Sequence, residues 1–228
     1  MAGGLKEVRE RIKSVISTQQ ITKAMKMVSA AKLRKAQNAI VQLRPYSDRL
    51  NRMLSNILSN LGGDASTSYG QARDVKQVLI VVVTSSRGLC GAFNTNINKA
   101  ALAHIDKKYE KQRAAGNVTV LFVGKKGFDY FRRRFQDLKF NTESINLFGN
   151  LEYEHTAPVA RNLMDEFTSG KYDAIDIVYG RFKNAAMQFP TVEQWLPVAK
   201  LEASAQAKMK ADYIFEPDQQ QLLETLVT

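Results

Sequence analysis

Apolar residues recur at steps of three and four from residue 4 to about residue 60. Leu5, Val8, Ile12 and Val15 open the series, and Ile21, Met25 and Val28 continue it. Leu33, Ala36, Ile40 and Leu43 follow, then Leu50, Met53 or Leu54, Ile57 and Leu61. A mean step of about 3.5 predicts one long helix carrying the seam of a coiled coil. Phase changes near Gln19 and Ala31 keep the seam from being regular. Pro45 lacks an amide donor and crowds the preceding turn, which predicts a kink or an interruption. Gly62-Gly63 predicts the helix end, with a polar loop running to Gly70.

A different pattern begins at Val75. The run "VKQVLIVVVTS" is short, β-branched and continuously apolar, as a strand buried on both faces requires. A helix is predicted over residues 94–113, and "VTVLFVG" at 118–124 reads as a second buried strand. Another helix covers about 125–135, a weak strand lies near 138–145, and 155–168 is helical. "YDAIDIVYGRF" is a strand. "MQFPTVEQWLPV" fits an edge strand, where Pro190 and Pro197 are tolerated. Strands alternating with helices predict an α/β domain with a mainly parallel sheet covered on both faces. Near the end, "EPDQQQLLETLVT" places Asp218 as a helix cap with Gln221 three residues on. Leu222, Leu223, Leu226 and Val227 then form an apolar face.

Composition narrows the class of function. The 228 residues are 44% hydrophobic, which allows a sizeable core. The formal charge is +11 and the isoelectric point about 9.7, so an acidic partner is expected. A single cysteine, Cys90, excludes an internal disulfide and suits a reducing compartment. With His104 and His155 as the only histidines, a histidine-rich metal site is excluded. The longest apolar run, 78–83, is too short to span a bilayer. The start lacks an apolar signal region, and Glu7 and Glu10 argue against a transit peptide.

The charge is concentrated. Residues 11–47 hold eight Lys or Arg and no acid, whereas helix surfaces usually mix signs. A solvated face is the plain explanation, and it weakens over so long an acid-free run. Nucleic acid would bind through phosphate contacts. Yet no Phe, Tyr or Trp precedes Tyr46 to stack on bases. Met25 and Met27 are ordinary core filler, although flexible methionines also suit a surface that meets several partners in turn.

Candidate chemistry is sparse. "SSRGLCGAFNTN" (85–96) falls at a strand's carboxyl end and opens a helix, where α/β sheets bind ligands. Arg87, Gly88, Leu89, Gly91 and Asn94 make up this glycine loop. Its spacing is neither GxGxxG nor GxxxxGK[ST], and "GKKG" (124–127) fails the phosphate-loop pattern too. Cys90 near a helix start is a candidate nucleophile, but no general base accompanies it in sequence. A lone cysteine there is more often a small buried hydrophobe. No pair of carboxylates stands in an acid–base arrangement.

"LKEVRERIKSVISTQQITKAMKMVSAAKLRKAQ", "RPY" (44–46), "SSRGLCGAFNTN" and "YIFEPD" (213–218) together resemble the γ subunits of bacterial F-type ATP synthases, in order over the whole chain. The resemblance implies a non-catalytic central rotor shaft with no cofactor and no metal. It implies a shaft helix at 1–61, a linker at 62–74, a Rossmann-like α/β domain at 75–212, and a foot at 213–228 that begins a C-terminal helix. In the family the N-terminal helix pairs with that C-terminal helix as an antiparallel coiled coil inside a ring of three α and three β subunits. The implied contacts with the acid-rich lever of β are Lys23, Met25, Lys26 and Cys90. Tyr213, Phe215 and Glu216 are implied contacts with the c ring. The partners implied are α, β, ε and the c ring, with membrane contact through that ring only and no nucleic acid. The location implied is the cytoplasmic face of the bacterial inner membrane. Two departures stand out. The family's C-terminal helix is expected to continue well past Thr228, so the sequence reads as a truncated or a naturally short form. The cysteine-bearing insert of the chloroplast versions is missing, so thiol control of that type is not expected. A nucleic-acid-binding protein using the basic helix, and a stand-alone α/β enzyme using the loop at 87–94, remain as rivals.

Overall fold

The structure, a computed structural model, describes residues 2–60, 69–70, 73–149 and 151–198. The expected helix end at Gly62-Gly63, the foot residues Tyr213, Phe215 and Glu216, and the cap at Asp218 lie outside them. The chain divides into two compact units, Met1–Ile57 and Leu58–Thr228.

The first unit is built of a single helix, α1 (Ala2–Asn60), of 59 residues, whose last residues fall in the second unit. The apolar steps that predict it are left uncovered: Val8, Ile12, Val15, Ile21, Met25 and Val28 are all exposed. Polar residues within it turn back onto the helix. The Thr18 hydroxyl donates to the Ser14 carbonyl at 2.9 Å, and the Thr22 hydroxyl to the carbonyls of Thr18 and Gln19 at 3.0 Å. Pro45 sits inside α1 without interrupting it, contrary to one of the two outcomes its sequence predicts. The ring removes one donor, and the long hydrogen-bonded ladder on each side continues cooperatively around that loss.

The second unit is a five-stranded sheet in the order β3-β2-β1-β4-β5. β1 (Val78–Val83) lies between β2 (Val118–Val123) and β4 (Ala174–Phe182), parallel to both. The short β3 (Lys139–Asn141) extends the parallel set beyond β2. β5 (Gln188–Leu196) closes the other edge, antiparallel to β4, with Pro190 opposite Gly180.

Alternate residues of β1 and β2 serve two cores. Val78, Ile80, Val82, Val118, Val120 and Phe122 pack with Ile97, Ala101 and Ile105 of α2 (Phe93–Lys108) and with Phe131 of α4 (Lys125–Phe131). Leu79, Val81, Leu121 and Val123 pack with Leu163, Met164 and Phe167 of α5 (Tyr153–Thr168). Burial on both faces is why these strands read as unbroken apolar runs. Each such side chain contributes about 1.5–3 kcal/mol when fully buried.

The helix predicted over 94–113 is two helices, α2 and α3 (Glu110–Ala114), broken at Tyr109. Tyr109 leaves helical geometry at φ −125° and ψ 29°, and its buried hydroxyl donates to Asp176 of β4 at 2.7 Å. The next helix stops at Phe131 rather than near 135, with Phe135 folded back against Phe131. The unit's entry is pinned at Arg73, which pairs with Asp173 at 2.7 Å and donates to the Phe167 carbonyl at 2.6 Å.

Candidate functional site

The strand order reverses direction between β1 and β4, since the chain leaves β1 toward β2 and returns from β3 to β4. Open α/β sheets bind ligands at the carboxyl end of such a point. Here that end carries the loop from Thr84 to Ala92.

Thr84 ties the loop to the neighbouring strand. Its hydroxyl accepts from the Gly127 amide at 2.8 Å and donates to the Gly124 carbonyl at 3.3 Å. Gly124 has a left-handed φ of 98°, and a β-carbon there would stand 2.0 Å from the Thr84 carbonyl oxygen. The glycines of "GKKG" therefore let β2 and α4 close onto Thr84. The Gly127 amide is thereby already bonded within the protein.

Asn94 braces the loop from the first turn of α2. Its Oδ1 accepts from the Ser85 amide at 2.9 Å, and its Nδ2 donates to the Ser85 hydroxyl at 2.8 Å and to the Cys90 sulfur at 3.1 Å. Cys90 is half-buried rather than buried, and its polar neighbours are neutral. Arg87 and Gly88 are exposed. Leu89 is 99% exposed and held at φ 63°. The left-handed region costs a leucine about 1–2 kcal/mol, so the loop carries a strained apolar tip. Gly91 follows at φ 58°, where glycine is unstrained.

Beside the loop, a cavity of about 350 Å³ is lined by Cys90, Phe93, Ile97, Met187, Phe189 and Pro190, among others. Gly180 opens it. A β-carbon at Gly180 would meet Phe93 Cε2 at 2.5 Å, so its absence lets the ring lie against β4.

Sequence reasoning missed a buried polar cluster on the α2 side of β4. Asp176 is fully buried, and its Oδ2 hydrogen-bonds with His104 Nε2 at 2.5 Å, the Tyr109 hydroxyl at 2.7 Å and Lys108 Nζ at 3.1 Å. Burial works most strongly against the charge. The three hydrogen bonds and the Lys108 cation outweigh it and hold the carboxyl below its ordinary value. Burial and the Asp176 hydrogen bond push the Tyr109 hydroxyl far up. The signal was an acid inside an apolar strand run, "YDAIDIVYG", opposite His104 and Lys108 one turn apart on a helix.

The loop residues Arg87, Gly88, Leu89, Cys90, Gly91 and Asn94 thus come together at one end of the sheet. Lys23, Met25 and Lys26 lie on α1, in the other unit, with Met25 52% exposed. Among the described residues no group of three His, Cys, Asp or Glu is placed to hold a metal ion, and no helix is long and apolar enough to cross a membrane.

Comparison with known proteins places these features in a family. A family model described as ATP synthase matches residues 4–228. The ATP synthase gamma chain of Cytophaga hutchinsonii is 45% identical over 225 residues, covering 98% of this chain and 76% of the relative. That of Flavobacterium johnsoniae is 45% identical over 223 residues, covering 98% and 75%. Among solved structures, a chain of the Tetrahymena thermophila mitochondrial ATP synthase central stalk and c ring aligns with a TM-score of 0.55 at 25% identity, covering 91% of this chain and 87% of the other. A chain of the Euglena gracilis mitochondrial ATP synthase rotor shares the fold, with a TM-score of 0.56 at 23% identity and coverage of 99% and 76%. The chain belongs to the ATP synthase gamma chain family.

Proposed function

We propose that this chain, as the central rotor subunit of an ATP synthase, makes and breaks no bonds itself and works as a mechanical link. It transmits torque between proton translocation through the membrane ring and ATP synthesis or hydrolysis on the β subunits. The observation that carries this reading is α1. One uninterrupted helix of 59 residues spans roughly 90 Å at the ordinary rise per residue, and its middle presents cations without acids. A long basic shaft suits acidic surfaces met one after another. Exposed ion pairs contribute only about 0–1 kcal/mol each, so they guide a turning shaft without arresting it.

On this reading Lys23, Met25 and Lys26 on the shaft, and Cys90 in the loop, face the acid-rich levers of β. The exposed apolar seam of α1 takes a second helix in a coiled coil. Tyr213, Phe215 and Glu216 stand on the c ring, ε binds beside the α/β domain, and the α3β3 ring surrounds the shaft. The chain then works at the cytoplasmic face of the bacterial inner membrane and touches lipid through the ring alone. The Thr84-filled contact at Gly124 and Gly127 supports the non-catalytic part, because a nucleotide phosphate has no cradle there. Isothermal calorimetry of the folded chain with ATP tests it. No saturable heat is expected at micromolar nucleotide, and a saturable isotherm overturns the non-catalytic reading.

A further inference from the structure

The chain reaches the sheet once, ahead of β1, and leaves it once, after β5. Both passages are fastened at the same end of the sheet, where β1 and β4 begin and the antiparallel β5 finishes.

Arg73 fastens the entry. Its Nε pairs with Asp173 Oδ1 at 2.7 Å, and its Nη2 donates to the carbonyls of Phe167 and Tyr172. The guanidinium carbon lies 4.7 Å from the centroid of the Phe167 ring, which is buried in the core. Asp173 binds the entry a second time, its Oδ2 accepting the amides of Lys76 and Gln77 at 2.9 Å each. Gln112 of α3 donates to the Val75 carbonyl at 2.9 Å. Residues 73–77 are thus bonded to α3, to the end of α5 and to the start of β4. The exit is bonded to the entry in turn. The Val198 amide donates to the Tyr69 carbonyl at 2.8 Å, and Gln194 Nε2 donates to the Pro197 carbonyl at 2.8 Å. Tyr69, Trp195 and Val198 pack against the same core as Phe167.

Folding alone does not call for this fastening. β1 is held by burial on both faces, and the connection to such a strand is ordinarily a mobile surface loop. Arginine suits the task because its planar fork meets a carboxylate and two carbonyls while stacking on an aromatic face. A lysine ammonium cannot reproduce that set.

We propose that Arg73 is a positioning residue for torque transmission, locking both chain passages onto the sheet so that twist travels along the chain instead of being absorbed in it. The proposal rests on the rotor reading and adds where in the chain the twist is carried. Without the fork, residues 73–77 open locally while the sheet stays folded, and an angle imposed at one end of the passage is lost in the loosened segment.

The test fixes the α3β3 ring and tethers a bead through a biotin acceptor loop inserted after Arg133, exposed in the turn between α4 and β3. The thermal angular spread of the bead is recorded while a non-hydrolysable ATP analogue halts catalysis. Arg73→Gln is expected to widen the angular variance on the order of twofold, because a loosened segment adds compliance in series. Arg73→Lys keeps the charge and loses the fork, and is expected to widen it less. Phe122→Leu leaves a cavity in the other core, away from both passages. It is expected to lower the urea midpoint and leave the variance unchanged, which separates the fastening from general stability. Circular dichroism confirms that each variant folds. An unchanged variance in Arg73→Gln overturns the proposal, as does an equal widening in Phe122→Leu. If Arg73→Gln does not assemble, Arg73→Lys decides, and an unchanged variance there overturns the proposal as well. A bead on the unsubstituted chain that stays still while added ATP is hydrolysed overturns the rotor reading itself, and this proposal with it.

Discussion

Gly124 and Asp176 show how single positions hold the sheet's two ends. At Gly124 a methyl group would have to displace backbone, because the Thr84 carbonyl oxygen is 2.0 Å from where the β-carbon would stand, and the φ of 98° is unfavourable besides. Gly124→Ala is expected to destabilise the α/β unit by about 3 kcal/mol or more, measured as a shift in the urea midpoint. A shift within error would mean that the close contact with Thr84 is absent. Asp176 makes stability depend on pH. Its folded carboxyl is held below the ordinary value of 3.8, and Asp173, bound by the amides of Gln77 and Lys76 and by Arg73, is lowered as well despite burial opposing it. A lowered folded value means that the unfolded chain takes up the proton first. The stabilisation is therefore complete above the unfolded value and is lost as pH falls through the folded ones. The urea midpoint is expected to drop as pH falls below about 5, and Asp176→Asn, already weakened at neutral pH, to show a shallower drop. A parallel profile for the variant would place the acid sensitivity elsewhere.

At the scale of elements, what the sequence made legible was whatever depends on period. The step near 3.5 marked α1, and the unbroken Val and Ile runs marked β1 and β2, because a helix seam and a doubly buried strand leave unmistakable spacing. The break at Tyr109 was illegible for the opposite reason. It is set by a hydrogen bond to Asp176, 67 residues away, and local pattern carries no trace of that. The loop at Arg87–Asn94 was visible through its glycines, whereas the cavity beside it depends on Gly180 and the β4–β5 turn, which come near only in the fold. Pro45 erred the other way. Its local rule is sound, yet the surrounding helix outlasts one lost hydrogen bond. Since α1 continues through Pro45, Pro45→Ala is expected to restore that bond and stabilise the helix by as much as about 3 kcal/mol, raising its unfolding midpoint. Calorimetric melting of the full chain measures it, and no increase would indicate that the segment is not helical across residue 45.

For the whole molecule, the account separates turning from chemistry. Met25 sits 52% exposed on an acid-free face between Lys23 and Lys26. Met25→Lys adds a cation that an acidic lever holds more tightly in some rotary positions than in others. An added attraction of about 1.4 kcal/mol in one position changes its population tenfold. Proton pumping is thus expected to fall relative to ATP hydrolysis in membranes carrying the variant, with nucleotide affinity of the complex unchanged. An unaltered ratio would remove Met25 from the lever contact. The most direct test of the central claim watches the chain itself. The α3β3 ring is fixed to a surface, and a bead is tethered through a biotin acceptor loop inserted at Gly170, in the turn between α5 and β4, at the end of the sheet opposite the glycine loop. On addition of ATP the account predicts sustained rotation of the bead in one direction, at a rate that tracks hydrolysis. Hydrolysis at an ordinary rate with the bead stationary would contradict it.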